Sequence, residues 1–280
     1  MSTLSFRIVN VFTQRGDRLS GNPLCVFEDG RSLDPKTMQA LALQFNLSET
    51  TFILPSARAE AAVRIFTPQY EMPFAGHPTL GTAHVCRALG LAGDSLKLEM
   101  GVGVIPVTAA GNTWTLEATL KGWREVQEPP AVLAETLGLH ESDIGVKPLW
   151  VNAGREQLII PLTSEAAVRK VRVRADLLSS LRCESGAGMA YVFVQSGSRA
   201  LARFFFPQGN VALEDPATGS ATTNLGGWWL AMGRPLPVDI EISQGELTGR
   251  PSLLRLEVDG QRRIFVSGEV VDLGGGRLEL

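Results

Sequence analysis

The sequence predicts an α+β fold built as two similar lobes. Three observations predict it: a strand-and-helix unit that occurs twice in the same order, many short apolar strands bounded by turn residues, and few, short, capped helices. The chain has 280 residues, which at the usual domain size suits two lobes of about 140 residues each. In the repeat, Arg64-Ile65-Phe66-Thr67-Pro68 is matched by Arg203-Phe204-Phe205-Phe206-Pro207, each a strand ending at a proline. Gly76 to Gly90 follows the first and Gly219 to Gly233 the second, with the two glycines 14 positions apart in both. Between them lies a helix of small residues whose closing glycine suits a left-handed C′ position. Upstream, Phe52-Ile53-Leu54-Pro55-Ser56 matches Val192-Phe193-Val194-Gln195-Ser196. Three matches in one order argue for a duplicated lobe.

The remaining elements follow from local signals. Asp34-Pro35 is an N-cap and N1 pair; Met38, Leu41, Ala42 and Phe45 then recur at helical spacing, and Asn46 can close the helix. Strands are expected at Phe6–Phe12, Leu24–Phe27, Thr51–Leu54, Val63–Phe66, Leu116–Leu120, Leu158–Pro161, Tyr191–Gln195, Ala202–Phe206, Leu253–Val258 and Arg263–Ser267. Glu128-Pro129-Pro130 reads as the connection between lobes. It divides an N-terminal lobe, residues 1–125, from a C-terminal lobe, residues 126–280, whose last strand is free to return to the first lobe.

Composition removes several classes of function. The hydrophobic fraction is 44%, the charged fraction 20% and the net charge −3, an ordinary soluble balance. Lys and Arg form no run or stripe, so a nucleic-acid surface has no electrostatic support. The N-terminus has no basic stretch followed by an apolar one, so no signal peptide is expected, and no run reaches the roughly 18 apolar residues of a membrane helix. Cys25, Cys86 and Cys183 are scattered and odd in number, which suits a reducing cytoplasm rather than a disulfide framework. His77 and His84 lie seven apart and His140 stands alone; with no CxxC or HxxxH, no metal site is expected. There is no dinucleotide-binding G-x-G-x-x-G, Walker loop or G-x-S-x-G elbow, so no cofactor is expected. Gly274-Gly275-Gly276 reads as a turn.

The repeated turns carry the chemistry. Each leads into a helix N-terminus rich in Gly, Ser, Thr and Ala, where unpaired N–H groups and the helix dipole favour an anion. Taken alone, either turn is more often just a capped helix. The first bears His77, followed by Pro78; a neutral imidazole is favoured there, and the bland alternative is a hydrogen-bonded structural histidine. The second bears Asp215 and Ser220 about its helix start, and for the aspartate taken alone helix capping is the commoner explanation. Glu49 stands where a helix has ended and a strand begins, while the corresponding stretch of the second lobe, Gly188 to Val192, has no carboxylate. That difference points to a specialised role, against the ordinary reading of a solvated loop carboxylate.

Gly21-Asn22-Pro23, Ser48-Glu49-Thr50, the stretch Phe74 to Gly81 (FAGHPTLG) and the stretch Glu214 to Ala221 (EDPATGSA) resemble the PhzF-like family. That family is named for the phenazine-biosynthesis isomerase and shares the diaminopimelate-epimerase fold. The likeness keeps motif order from about Phe6 to about Gly233. It implies two lobes, each a curved sheet wrapped around a central helix, and a homodimer. It also implies that Glu49 is the carboxylate that moves a proton from one substrate carbon to another, assisted by His77 and Asp215. Gly219 and Ser220 match the turn that holds the substrate's carboxylate, and Gly76 is placed with them at the first helix start. The epimerases of this fold use two thiols at the helix starts; Gly76 and Thr218 stand there instead, which excludes two-thiol racemisation.

The expected activity is therefore a cofactor-independent isomerase acting on a small carboxylate-bearing metabolite. Two alternatives stand beside it: a carboxylate-binding protein that kept the fold without catalysis, and an epimerase that uses Glu49 with Asp215. A glutamate's ordinary pKa of about 4.3 is low for acid–base work at neutral pH, and desolvation on cleft closure would raise it. Finally, the helices starting near Gly76 and Gly219 are expected to be central, buried nearly all round, with Glu49, His77, Asp215 and Ser220 lining one cavity.

Overall fold

The computed structural model describes residues 3–184 and 186–280. The chain opens with an antiparallel pair, β1 (Thr3–Val11) and β2 (Asn22–Phe27). Next comes α1 (Pro35–Phe45), whose ends are set locally: the Asp34 carboxylate accepts from the Thr37 N–H at 2.7 Å, and Asn46 closes the helix at φ 51°. Then come β3 (Glu49–Leu54), β4 (Ala61–Phe66), the short β5 (Glu71–Met72), α2 (Gly76–Ala88), β6 (Ser95–Met100), β7 (Gly103–Ala110) and β8 (Thr113–Ala118). The chain continues through β9 (Gly122–Glu125), α3 (Pro130–Leu137), β10 (Leu149–Asn152), β11 (Glu156–Pro161), α4 (Glu165–Lys170) and α5 (Ala175–Ser180). It ends with β12 (Arg182–Cys183), β13 (Gly186–Ala187), β14 (Ala190–Ser196), β15 (Arg199–Gln208), β16 (Val211–Asp215), α6 (Gly219–Ala231), β17 (Val238–Gln244), β18 (Ser252–Val258) and β19 (Ile264–Glu279).

The chain forms two units, the residues up to Glu117 together with Ser267–Leu280, and Ala118–Val266. In the first, pairing runs β1–β2–β3–β4–β6–β7–β8 and closes through β19, which pairs with both β8 and β1. The result is a closed ring of mixed parallel and antiparallel strands. In the second unit, pairing runs β9–β10–β11–β14–β15–β17–β18, with β16 added alongside β15. One succession recurs in both: a parallel pair (β2–β3, β11–β14), a hairpin (β3–β4, β14–β15), a short antiparallel strand (β5, β16), a helix (α2, α6), a parallel return (β4–β6, β15–β17) and a second hairpin (β6–β7, β17–β18).

Both repeated helices are rich in small residues and largely buried. Eleven of the 13 residues of α2 are buried, and it packs against β1, β2, β3, β4 and β6. Eleven of the 13 residues of α6 are buried, against β9, β10, β11 and β18. Glycine permits the close approach. A Cβ on Gly81 would lie 2.5 Å from Leu24 Cδ2 and 2.9 Å from Val11 Cγ2; one on Gly227 would lie 2.6 Å from Val151 Cγ1.

Three expectations are corrected. Glu128-Pro129-Pro130 is no linker: Pro129 is the N-cap of α3 and Pro130 its first residue, a place where a missing N–H costs nothing. The division between units falls at Glu117/Ala118 rather than after residue 125, because β9 pairs antiparallel with β10. Gly274-Gly275-Gly276 is strand, opposite Ile8, Arg7 and Phe6 of β1, with a register shift at Ile8/Val9. A Cβ on Gly275 would meet the Phe6 carbonyl oxygen at 2.4 Å, so glycine here admits a close backbone rather than a bend.

Candidate active site

In the first unit three elements meet at Glu49. The parallel pairing of β2 and β3 sets Leu24 beside Glu49, which brings Asn22, two residues earlier, to the same end of the pair. The Thr51 and Thr82 hydroxyls bond at 2.8 Å and tie β3 to α2. His77, in the first turn of α2, is 4% exposed. Its Nδ1 lies 2.9 Å from Glu49 Oε2, and its Nε2 lies 3.1 Å from the Asn22 carbonyl oxygen. A carbonyl only accepts, so Nε2 carries hydrogen and donates. The contact between Nδ1 and Glu49 then holds a single proton. It resides on the carboxyl with a neutral ring, or on the ring with a carboxylate. Either way the pair can give up or receive one proton without moving a heavy atom. The Glu49 side chain keeps 16% exposure, so it is not sealed in. No side chain caps α2 at Ala75, and the N–H groups of Gly76 and His77 lie at the positive end of the helix.

In the second unit the start of α6 is organised by side chains from distant strands. Asp215 ends β16, and the cap position belongs to Thr218, whose hydroxyl donates to the Asp215 carboxylate instead of capping the helix. Gln244 of β17 braces the turn. Its Nε2 donates to the Asp215 carbonyl at 2.8 Å and to Thr218 Oγ1 at 3.0 Å, and its Oε1 accepts from the Thr218 N–H at 3.3 Å. Asp215 is therefore a braced residue of the turn and not the helix cap.

Ser220 sits at the end of a hydrogen-bond chain with one possible direction. The Ala153 N–H can only donate, so the oxygen of the Asn224 amide faces it at 2.7 Å. Asn224 Nδ2 then donates to Gln157 Oε1 at 2.7 Å, and Gln157 Nε2 donates to Ser220 Oγ at 3.0 Å. The serine hydroxyl accepts within the protein, which leaves its own hydrogen to donate outward. Beside it, Gly219 and Ser220 present first-turn N–H groups with no side chain capping them. A partly exposed hydroxyl donor at a helix N-terminus suits a carboxylate.

Among the described residues no group of three or more His, Cys, Asp or Glu could hold a metal ion. Nor do the thiols supply chemistry. All three cysteines are buried and outside any disulfide; burial pushes the Cys86 thiol up to about 12 and the Cys25 thiol higher still.

The family model for phenazine biosynthesis-like proteins matches residues 9–275. The chain belongs to this phenazine biosynthesis-like family. An isomerase of Pasteurella multocida described as uncharacterized is 35% identical, with 99% of this chain and 95% of the relative aligned. The trans-2,3-dihydro-3-hydroxyanthranilate isomerase of Pseudomonas aeruginosa is also 35% identical, over 98% of this chain and 99% of its own. The crystal structure of a PhzF-family phenazine biosynthesis protein from Bacillus anthracis superposes with a TM-score of 0.87 over 100% of both chains, at 22% identity. The protein is an isomerase of the phenazine biosynthesis-like family.

For this family member, the structure brings Glu49, His77 and Gly76 together in one unit and Asp215, Gly219 and Ser220 together in the other. Sequence reasoning missed the groups that orient them. Asn22 lay in a quoted motif, but its part is played by a backbone carbonyl that any residue carries. Gln157, Asn224 and Gln244 gave no signal, because a lone amide side chain in a strand or helix has no spacing rule. Thr218 was read only as a position lacking a thiol.

Proposed function

We propose that this isomerase moves a proton between two carbons of a small carboxylate-bearing metabolite, using Glu49 as the acid–base group and no bound cofactor. The observation that carries the reading is the Glu49–His77 contact at 2.9 Å, with the opposite ring nitrogen held by the Asn22 carbonyl. That arrangement sets the tautomer of His77, so the single proton of the pair can pass only through Nδ1 and Glu49.

In the reaction, the Glu49 carboxylate takes a proton from an activated C–H. The electron pair left behind shifts along the adjoining double bond, and protonated Glu49 returns the proton to the far carbon. The double bond moves, no atom is gained or lost, and the carboxylate is regenerated. His77 holds Glu49 in place and shares its proton between steps. The Ser220 hydroxyl and the first N–H groups of α6 hold the substrate carboxylate, and Asp215 assists from its braced position. The Pseudomonas aeruginosa relative is named for a substrate that bears a carboxylate and an isomerisable ring, which is the chemistry assigned here. The recurrent strand pairing and the buried α2 and α6 also support two lobes of one design, each a curved sheet around a central helix.

The test is a screen of small carboxylates by ligand-detected NMR, followed by proton exchange in D₂O on the best binder. Migration of the double bond with protein-dependent exchange at two carbons, absent in Glu49→Gln, is the expected result. Exchange at a single stereocentre with loss of configuration would replace isomerisation with epimerisation.

A further inference from the structure

One arginine, in a turn whose backbone is tied to α6, has no role in the structure described so far. Arg155 lies in the turn between β10 and β11. Its Nε is fully buried and has no hydrogen-bond partner. No ion pair of Arg155 occurs among the described residues; several other arginines of this unit, among them Arg124, Arg203 and Arg255, have one, while Arg172, Arg182, Arg234 and Arg262 show none either. Buried polar atoms are normally satisfied, so an orphan on a permanently charged group calls for a partner that is not part of the chain.

The neighbouring carboxylates are already engaged. Glu156 receives Arg124 Nε at 2.8 Å and Nη2 at 3.0 Å, and the Glu184 N–H at 2.8 Å. Glu184 accepts from Asn152 Nδ2 at 2.9 Å. The place of Arg155 in the network is more telling. Its carbonyl accepts from Asn224 Nδ2 at 2.9 Å, and that nitrogen also donates to Gln157, which donates to Ser220. The Ala153 N–H donates to the same asparagine. The turn bearing Arg155 is thus locked to the first two turns of α6 by the side chain that orients Ser220. Arg155 is half-buried, and Nε is its enclosed polar atom.

We infer that Arg155 is a specificity-determining residue that receives a second anionic group on the substrate, a carboxylate or phosphate, beside the carboxylate held at Ser220. A guanidinium offers a planar pair of donors matched to either group. This inference rests on the α6 turn as carboxylate site. It narrows the substrate class from monocarboxylates to compounds with two anionic groups, and it disfavours substrates that place an ammonium there.

The test uses the full-length protein and three probes of similar length: glutarate, its monoamide glutaramate, and 3-phosphonopropionate. Affinities are measured by NMR titration for the wild type, Arg155→Met and Ser220→Ala. The expectation is that wild type binds glutarate at least tenfold more tightly than glutaramate. Arg155→Met should bring that ratio close to one with glutaramate affinity unchanged, whereas Ser220→Ala should weaken both. The phosphonate arm shows which of the two anions is preferred. A structural role would act differently: Arg155→Met would then lower the melting temperature of the free protein, whereas removal of an unpartnered charge should leave it unchanged or raise it. A wild-type ratio near one, or a ratio that survives Arg155→Met, overturns the inference while leaving the Ser220 reading intact. Equal binding of every probe by wild type and Ser220→Ala overturns the α6 site itself, and the Arg155 inference with it.

Discussion

Replacing Glu49 by Gln separates its chemical role from its structural one, because the structure dictates what the amide will do. His77 donates from Nε2 to the Asn22 carbonyl, so a neutral ring presents Nδ1 as an acceptor toward residue 49. A glutamine at the same place donates an N–H to Nδ1 and keeps the bond, so stability should stay near that of the wild type. It cannot take a proton from carbon, and turnover should fall by the roughly 10²–10⁴-fold that a positioned acid–base group supplies. Glu49→Ala removes the bond as well. His77 is 4% exposed, so Nδ1 would be left with little access to water, at a cost of about 1–3 kcal/mol. Urea unfolding of both variants, with D₂O exchange NMR on the best-binding carboxylate, reads the two quantities independently. Exchange by Glu49→Gln within tenfold of wild type would refute Glu49 as the proton carrier. A Glu49→Gln variant as unstable as Glu49→Ala would refute the assigned tautomer of His77.

Other outcomes follow from the same geometry. Ser220→Ala should weaken carboxylate binding by about 1–2 kcal/mol, the scale of one charge-assisted hydrogen bond, with the N–H groups of α6 preserving residual affinity; calorimetry checks it. Gly81→Val should destabilise by about 1–3 kcal/mol or more, since a Cβ there lies 2.5 Å from Leu24 Cδ2 and 2.9 Å from Val11 Cγ2 in a filled interior. Gly93→Ala, where nothing lies within 4 Å, is the neutral control in the same unfolding assay. The Cys25 and Cys86 thiols, raised by burial, stay protonated at neutral pH and beyond, so iodoacetamide should label them only after unfolding and should not inactivate the native enzyme.

The sequence by itself determined the parts of this protein that are decided locally. Asp34, Pro35 and Asn46 bound α1 as expected because caps act through hydrogen bonds to backbone a few residues away. The apolar runs became strands for the same kind of reason. The closing glycines of the two small-residue helices, Gly90 and Gly233, stand at φ 73° and 62° as a left-handed helix end requires, and within the helices Gly81, Gly226 and Gly227 let neighbouring side chains approach closely. The motifs also placed Glu49 at the start of β3 and His77 at the start of α2. Elements with weak local signals went unread. The short β5, β9, β10, β12, β13 and β16 have too few residues for a period of two to show, and Pro129-Pro130 serves a helix start as well as it serves a linker. The longer β6, β7 and β17 were missed too, although β6 and β17 alternate buried with more exposed positions.

Only the tertiary structure decided how the chemical groups are oriented. The proton on His77 is assigned by the carbonyl of Asn22, 55 positions away, and the donating direction of Ser220 by an amide relay through Gln157 and Asn224 that starts at the Ala153 N–H. The same relay exposes Arg155 as a charge without a partner, and it is β19, returning to pair with β1, that closes the first ring. Periodicity and capping describe contacts within a few residues; a donor, an acceptor and the proton between them are fixed only when distant backbone comes within hydrogen-bond reach.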